Sequence, residues 1–349
     1  MTFHVTIEYD RRDPGTDVVP GLEILHEDPG IEISYLADDR GPELEPEDLR
    51  GVDAYVSYAH DLTEASLASV DSLKLVTRAG AGYENLDLDA MTEHGVVAAH
   101  APQGPTASAA QATVGMIISC AHNFARLEHG LRERGWDARV PEEYGFELQH
   151  ATLGFVGMGL IGEKVLSNLA PFRADGLEAR VYDPYMTEGR AEELGVEKVD
   201  LGTLLETSDL VTVHVPLTEE THHMLGREEF ERMRDSAYLV NTSRGGIYPD
   251  EELAAALEAD ELRGAAVDVF EGEPDVEGNP LLDVEDIHLT PHVAGVTTDS
   301  VRYIHELMAE SVLNLKNRDP PINVLNPPAY ETVAGQPLPE ECYSPSFQQ

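Results

Sequence analysis

Positive charge is scarce in this sequence of 349 residues. Its 23 lysines and arginines, of which only four are lysine, stand against 66 aspartates and glutamates, which gives a formal net charge of −43 at pH 7. The acidic residues are spread along the whole chain and are not gathered in one tail. Such a surface repels the phosphates of nucleic acids and of anionic lipids, which bind basic surfaces. We therefore expect neither a nucleic acid nor a membrane as partner.

Cysteine and long apolar runs are also scarce. The two cysteines, Cys120 and Cys342, are too few and too far apart for a disulfide framework. No run approaches the roughly 20 apolar residues that a membrane helix needs. The N-terminus shows no basic head followed by an apolar segment, so no signal peptide is predicted. These absences are typical of a cytoplasmic protein.

The adjacent histidines His222 and His223 raise the question of a metal site. Neighbouring side chains on a helix or strand point apart, and no carboxylate at a suitable sequence spacing supports the pair. We therefore predict no metal.

What the chain does contain is an alternation of short apolar, β-branched runs with helical stretches, in two series. Such alternation predicts α/β folding, with parallel sheets covered by helices. Residues 106–134 are interpreted as one long helix, 302–316 as a final amphipathic helix, and 331–349 as an unpatterned tail. The first series of strands is "FHVTIEY", "IEISYL", "DAYVSY", "LKLVTRAG" and "GVVAAH", and the second is "ATLGFVGMG", "EARVYD", "DLVTVHVPL", "SAYLVNTS", "GAAVDVF" and "DIHLTPH".

A glycine-rich turn opens the second series. Gly157, Gly159 and Gly162 follow an apolar strand and begin a helix, the arrangement that lets a backbone approach a pyrophosphate. The phosphates would lie on the free N–H groups at the start of that helix, where Leu160 and Ile161 stand. The turn therefore predicts a dinucleotide site.

The next strand ends in Asp183, near the distance at which a carboxylate binds the hydroxyls of the adenosine ribose. No arginine follows it directly, and a carboxylate would repel a 2′-phosphate. NAD is therefore favoured over NADP.

Hydride transfer to a carbonyl needs a group that binds the substrate, a proton donor and a partner for that donor. Arg244, Glu273 and His292 each follow a predicted strand, at the edge where α/β sheets bind ligands. An arginine binds a carboxylate and polarises a keto oxygen. A histidine transfers protons near neutrality, and a glutamate orients its ring and stabilises the imidazolium. Together the three are interpreted as catalytic.

At these motifs the chain resembles the D-isomer-specific 2-hydroxyacid dehydrogenases, from about residue 57 to residue 300. The resemblance rests on "LKLVTRAGAGYENLDLDA", "GWDA", "TLGFVGMGLIG", "VTVHVPLTEETHHML", "LVNTSRGGIYPDEELAAAL", "LRGAAVDVFEGEP" and "IHLTPHVAGVT". It implies that Arg244, Glu273 and His292 are catalytic. The chain departs from the usual pattern at His100, where Asn is commoner, and at Gln111, where Glu is commoner.

The resemblance also implies binding residues. Substrate would be bound by the backbone of the loop Gly80, Ala81 and Gly82, with Arg244 and His292. Further cofactor contacts would come from His214, Val215, Pro216, Thr242, Asp268 and Gly295. It indicates a homodimer in which 106–134 forms an arm between subunits.

The expected architecture is two doubly wound domains with a cleft between them. Residues 1–101 and 293–330 would form a flavodoxin-like substrate domain, residues 102–292 a Rossmann domain, and 331–349 a tail. The expected function is NAD-dependent interconversion of a 2-keto acid and a D-2-hydroxy acid. Three alternatives stay open: D-3-phosphoglycerate dehydrogenase, hydroxypyruvate or glyoxylate reductase, and an NAD-sensing protein of the co-repressor kind.

The charge of −43 yields a prediction about salt. If the chain is adapted to high salt, both its melting temperature and its activity will rise between about 0.1 M and about 1 M KCl. The reason is that the Debye length falls from about 10 Å to about 3 Å and screens the repulsion among carboxylates. Thermal melts and initial rates over that range test this. A flat or falling response in both would instead identify an acidic protein without salt adaptation.

Overall fold

The computed structural model describes residues 2–8, 18–36, 41–285 and 287–344. Contacts divide the chain into two compact units, one formed by residues 1–105 with 297–349 and the other by residues 106–296. In the ranges just given, no helix is long and apolar enough to cross a membrane.

The first unit is built on a five-stranded sheet in the order β2-β1-β3-β4-β5, with every neighbouring pair parallel. The five strands are those that the sequence predicts. β3 and β5 are buried at every position, because helices cover both faces of a parallel sheet. The elements are β1 (Phe3–Ile7), α1 (Glu23–Glu27), β2 (Ile31–Tyr35), α2 (Pro46–Leu49), β3 (Ala54–Ser57), α3 (Glu64–Leu67), β4 (Leu75–Arg78), α4 (Leu88–Glu93) and β5 (Val97–His100).

The second unit is built on a seven-stranded parallel sheet in the order β12-β11-β10-β9-β6-β7-β8. The strand order reverses beside β6, and doubly wound folds bind ligands at such a point. The predicted strands are present, and the two-residue strand β8 is an addition. The elements are α5 (Gln103–Ala121), α6 (Phe124–Arg134), β6 (Thr152–Val156), α7 (Leu160–Asn168), α8 (Ala170–Asp175), β7 (Glu178–Tyr182), α9 (Glu188–Leu194), β8 (Glu197–Lys198), α10 (Leu201–Thr207), β9 (Leu210–Val213), α11 (Arg227–Arg232), β10 (Tyr238–Asn241), α12 (Asp250–Glu258), β11 (Gly264–Val267) and β12 (Ile287–Leu289).

The single long helix expected over 106–134 is wrong, because the chain breaks it between α5 and α6. Asn123 takes a left-handed conformation with φ of 56°, which asparagine tolerates better than most residues. Its side-chain amide donates to the carbonyl of Glu143 at 3.0 Å. The Phe146 N–H donates at 2.8 Å to the carbonyl of Ala121, the last residue of α5. Contacts from a distant loop therefore end the helix, and the local pattern does not show them.

The unpatterned tail expected over 331–349 is also wrong in its described part. The chain returns to the first unit through α13 (Thr298–Asn317) and α14 (Pro327–Ala334). Beyond α14, Leu338 is buried and Tyr343 forms a bridge with Val324. The second unit ends at residue 296, so the return begins a few residues later than the expected boundary at 293.

His100, at the end of β5, joins three separated segments of the first unit. Its Nδ1 donates to the carbonyl of Ala81 at 3.0 Å, and its Nε2 lies 2.6 Å from the hydroxyl of Ser344. The ring is 2% exposed. Burial lowers the pKa of His100 to about 4, the charge of Arg78 acts in the same direction, and the bond to Ala81 opposes the shift. The departure from the usual Asn therefore places a neutral imidazole between a loop and the C-terminal segment.

The lowered pKa makes the stability of the fold depend on pH. Below about pH 6.5 the unfolded chain binds a proton at His100 that the folded chain does not bind until about pH 4. The free energy of unfolding should therefore fall as the pH is lowered through that window, by up to about 1.4 kcal/mol per pH unit from this group. Urea unfolding at pH 7 and pH 5 should show a smaller loss for His100→Asn than for the wild type. Equal losses in the two proteins would contradict the assignment.

Candidate active site

The glycine-rich turn lies between β6 and α7, beside the point where the strand order reverses. Gly157 has φ of +84°, and a Cβ there would stand 2.7 Å from Cγ1 of Val215. Gly159 precedes α7 and provides no side-chain cap, which leaves the first N–H groups of that helix, from Leu160 to Gly162, for an anion. The turn thus has the close backbone approach and the helix start that a pyrophosphate needs.

Asp183 follows β7 directly and is held beside this turn. Its Oδ2 accepts from the Met158 N–H at 3.0 Å. Its Oδ1 accepts from the N–H groups of Tyr185 and Met186, at 2.9 Å and 3.2 Å. The carboxylate is therefore fixed where the sequence predicts the ribose site, and Oδ2, with one amide partner, keeps capacity to accept a hydroxyl.

The loop after β9 carries His214, Val215 and Pro216 along the other side of the turn. The His214 ring stacks on Phe155 with centroids 5.8 Å apart, and its Nε2 lies 3.0 Å from the hydroxyl of Thr212. Burial lowers the pKa of His214 to about 4. The ring is therefore neutral near pH 7, which fits packing against a cofactor and not proton transfer.

Thr242, after β10, has a hydroxyl bonded at 2.7 Å to that of Thr113 in α5. Thr113 donates its own proton to the carbonyl of Ala109 at 2.8 Å. A hydroxyl has one proton, so Thr242 donates to Thr113 and is left as an acceptor.

A close polar contact joins two of the predicted catalytic residues, His292 and Glu273. His292 Nδ1 lies 2.5 Å from Glu273 Oε1, and Oε2 of the same carboxylate accepts from the Phe270 N–H at 3.1 Å. Because Glu273 is hydrogen-bonded to Nδ1 of His292, Nε2 is the ring nitrogen that can contact a substrate. The His292 side chain is 48% exposed, so a small molecule can reach it.

Glu273 is held as a charged carboxylate. Burial alone would raise its pKa, but the bonds from His292 and Phe270, together with the charges of His292 and Arg244, outweigh it, and the net pKa is lowered. A carboxylate that stays ionised stabilises a positive charge on the neighbouring imidazole.

Arg244 approaches the same place from the loop after β10. Asn241 holds this loop, since its side-chain amide donates to the Arg244 carbonyl at 2.9 Å and its Oδ1 accepts from the Ser243 N–H at 2.9 Å. A Cβ on Gly245 would lie 1.9 Å from the carbonyl oxygen of Phe270, so the loops that carry Arg244 and Glu273 are in direct contact. Asn241 is not among the site residues predicted from the sequence, although it lies in the motif "LVNTSRGG" that contains Arg244.

Asp268 positions the loop that carries His292. It is 1% exposed, and its carboxylate accepts from the Thr290 hydroxyl at 2.5 Å and from the N–H groups of Val293 and Ala294, both at 2.9 Å. Its carbonyl accepts from the His292 N–H at 2.7 Å. The resemblance implies contact of Asp268 with the nicotinamide. The structure shows this residue bracing the loop up to Ala294, next to Gly295.

The predicted substrate loop Gly80–Gly82 lies after β4 in the first unit. Gly80 has φ of +83° and accepts at 3.0 Å from the Ala101 N–H, while the Ala81 carbonyl accepts from His100. Both of these hydrogen bonds come from residues of the first unit.

The two histidines after β9 do not point apart, contrary to the expectation for adjacent residues of a helix or strand. The rings of His222 and His223 stack with centroids 3.8 Å apart, and His223 Nε2 lies 2.8 Å from Glu271 Oε1. The assumption failed because the two residues stand in a turn, where His223 has φ of 53°.

Comparison with known proteins shows the family to which this chain belongs. The sequence model described as D-isomer specific 2-hydroxyacid dehydrogenase, NAD binding domain, matches residues 114–294. A glyoxylate reductase of Korarchaeum cryptofilum is 35% identical over 283 residues, which cover 80% of this chain and 84% of the relative. The chain belongs to the D-isomer specific 2-hydroxyacid dehydrogenases. The matched range contains β6 to β12 with Arg244, Glu273 and His292, so the expected family and α/β class are confirmed.

Other relatives of this chain carry different names. The D-3-phosphoglycerate dehydrogenase of Archaeoglobus fulgidus is 36% identical over 267 residues, 76% of this chain and 49% of the relative, so the chain spans about half the length of that protein. A solved D-lactate dehydrogenase of Aquifex aeolicus, in complex with NAD and lactic acid, superposes with a TM-score of 0.76 at 27% identity and covers 90% of this chain and 96% of that one. The second unit is thus an NAD-binding domain, as the sequence predicts.

Proposed function

We propose that the chain interconverts a small 2-keto acid and the corresponding D-2-hydroxy acid, with NAD as the redox partner. The observation that carries the proposal is the 2.5 Å contact between His292 Nδ1 and Glu273 Oε1, with Nε2 left for a substrate. Arg244 lies close enough for its charge to lower the pKa of Glu273. A donor, its charged partner and a cation for a carboxylate are the groups that carbonyl reduction requires.

Cofactor binding, substrate binding and proton transfer fall to different residues of the chain. The turn from Gly157 and the start of α7 bind the pyrophosphate of NAD, which in its reduced form supplies the hydride. Arg244 binds the substrate carboxylate and polarises the keto oxygen. Protonated His292 would donate its Nε2 proton to that oxygen, and Glu273 would stay ionised and stabilise the imidazolium until the proton is transferred. In the oxidative direction the same nitrogen removes the hydroxyl proton.

The substrate class follows from the relatives. Their names include D-3-phosphoglycerate dehydrogenase, glyoxylate reductase and, in Thermotoga maritima, hydroxypyruvate reductase. We propose a small 2-keto acid of this kind, and a panel containing glyoxylate, hydroxypyruvate, pyruvate and 3-phosphohydroxypyruvate with NADH identifies it. NAD binding without turnover of any of them would support the NAD-sensing alternative. The roles of the Gly80–Gly82 loop and of Gly295, and the cytoplasmic location, stay predictions.

We propose that the second unit mediates homodimer formation. A groove of about 750 Å³ is lined by α5, α6 and β12. Its apolar residues include Phe124, which is 53% exposed, and Val293, which is 41% exposed. Apolar surface of this kind marks an interaction site, and the sequence predicts an arm between subunits over the same helices. Sedimentation of a monomer at micromolar concentration would contradict the dimer.

His292 is the proposed proton donor. Replacing it with alanine removes the proton donor, so His292→Ala should lower turnover by roughly 10²- to 10⁴-fold. NADH binding should survive, because the turn at Gly157 and the carboxylate of Asp183 are untouched. Steady-state rates and NADH fluorescence titration measure the two effects. Near-normal turnover would show that the histidine is a loop residue.

The Glu273→Gln variant tests the pairing by another readout. The imidazolium loses its charged partner and becomes less stable, and reduction requires the protonated ring. The falling limb of the pH–rate profile for reduction should therefore move to lower pH, whereas a purely structural role would lower the rate without moving the limb.

The cofactor preference depends on Asp183. Its carboxylate accepts ribose hydroxyls and repels a 2′-phosphate, so kcat/KM should be higher with NADH than with NADPH. Asp183→Ser should narrow the difference, and Asp175→Ser, at the exposed end of α8, is the control that should leave it unchanged. A wild-type preference for NADPH would overturn this assignment.

A further inference from the structure

Two histidines and a glutamate, none of them part of the His292–Glu273 pair, form a compact cluster on the second unit. The distance from Glu271 Oε1 to His223 Nε2 is 2.8 Å and to His222 Nε2 is 4.0 Å. One ligand atom from each residue can be chosen so that all three lie within 4.8 Å of one another. The side chains are 52%, 36% and 38% exposed for His222, His223 and Glu271, so an ion in solution can reach them.

The backbone holds the cluster together before any ion arrives. The His222 N–H donates to the carbonyl of Thr218 at 2.9 Å, within a turn that follows the cofactor loop. The His223 N–H donates at 2.9 Å to the carbonyl of Gly246, two residues after Arg244. On the opposite side, the Glu271 N–H donates to a carboxylate oxygen of Asp250 at 3.0 Å. Each of the three residues is thus fixed by a main-chain hydrogen bond.

His223 adopts a conformation that a histidine rarely takes. Its φ of 53° lies in the left-handed region, which is unfavourable for a residue with a side chain. The reversal stacks its ring on that of His222 and directs Nε2 to the glutamate. Adjacent residues in an extended strand would have pointed apart.

We propose that His222, His223 and Glu271 bind one divalent transition-metal ion of the Zn²⁺ class. Two imidazole nitrogens and one carboxylate oxygen suit Zn²⁺, whereas Mg²⁺ and Ca²⁺ prefer sets made of oxygen alone. Ligand atoms around tetrahedral Zn²⁺ lie about 3.3 Å apart, given bonds of about 2.0–2.1 Å. The observed 2.8 Å and 4.0 Å fall on either side of that value. Rotation of the side chains, with the two stacked rings tilting apart, would bring all three atoms onto one ion and leave the fourth position to water.

The site would join two loops that flank the candidate active site. His222 and His223 belong to the segment after the loop His214–Pro216, and Glu271 stands two residues before Glu273. An ion bound to the folded form but not to the unfolded chain stabilises the fold by mass action. Binding is therefore expected to raise the melting temperature whether or not the chain has the proposed activity.

The experiment must separate this site from the diffuse attraction of any cation to a chain of net charge −43. Titration calorimetry with Zn²⁺ in about 1 M KCl does so, because the salt screens diffuse binding but competes weakly with coordination. Mg²⁺ under the same conditions is the control ion. The test variant is His222→Gln with His223→Asn, since asparagine tolerates the left-handed conformation. His150→Gln is the matched control variant, because His150 is also exposed and lies 3.8 Å from a glutamate, Glu147.

The expected result is one Zn²⁺ per chain, no measurable Mg²⁺ binding and a higher Tm with Zn²⁺. The double variant should lose at least about 100-fold in Zn²⁺ affinity, and also the rise in Tm, since ligand loss costs more than the 10- to 100-fold of an outer-shell change. His150→Gln should behave as the wild type. Equal Zn²⁺ affinity in the double variant and the wild type, or no Zn²⁺ binding that exceeds Mg²⁺ binding, would overturn the proposal. Because the readouts are binding and Tm, they are independent of turnover.

Discussion

A buried carboxylate holds the loop on which the proposed chemistry depends. Asp268 is 1% exposed, and removing a carboxylate from water costs several kcal/mol unless hydrogen bonds replace its hydration. The Thr290 hydroxyl and two main-chain N–H groups provide that replacement. They also fix the chain around His292, whose φ of 50° is unfavourable for a residue with a side chain. The position of the imidazole is therefore a consequence of the burial of Asp268.

The parallel sheet explains why Arg244, Glu273 and His292 lie close together although 48 residues separate the first from the last. β10, β11 and β12 are neighbours in the sheet and run in the same direction, so the loops that follow them leave from one edge. The contact between Gly245 and the Phe270 carbonyl then sets the distance between two of those loops. Without a Cβ at residue 245, the backbones approach more closely than any other residue would permit.

Charge acts on two length scales in this protein. The proposed substrate, a 2-keto acid, is an anion, and a net charge of −43 repels it at long range, where salt screens the repulsion. At contact distance the local field differs, because Arg244 supplies a cation beside the Glu273–His292 pair. The same negative surface attracts divalent cations without distinguishing them, so selectivity for a transition metal has to come from the imidazoles of His222 and His223.

The periodicity of apolar residues and the positions of the glycines determined much of this protein by themselves. The alternating runs predict the strands of both sheets except β8, and "GFVGMGLIG" predicts the turn from β6 into α7, because these features depend on local geometry. The family motifs similarly predict that Arg244, Glu273 and His292 are the catalytic residues. They do not, however, show that Nδ1 of His292 is the nitrogen bonded to the glutamate.

Tertiary contacts decided the rest. The end of α5 depends on Phe146 and Glu143, and the hydroxyl of Ser344 is held by His100, which stands 244 residues earlier in the sequence. The bracing role of Asp268 and the convergence of His222 and His223 on Glu271 arise in the same way. The periodicity of the sequence does not indicate hydrogen bonds between residues far apart in the chain. It also does not indicate local backbone conformations such as the left-handed turns at Asn123 and His223. Only the folded chain reveals them.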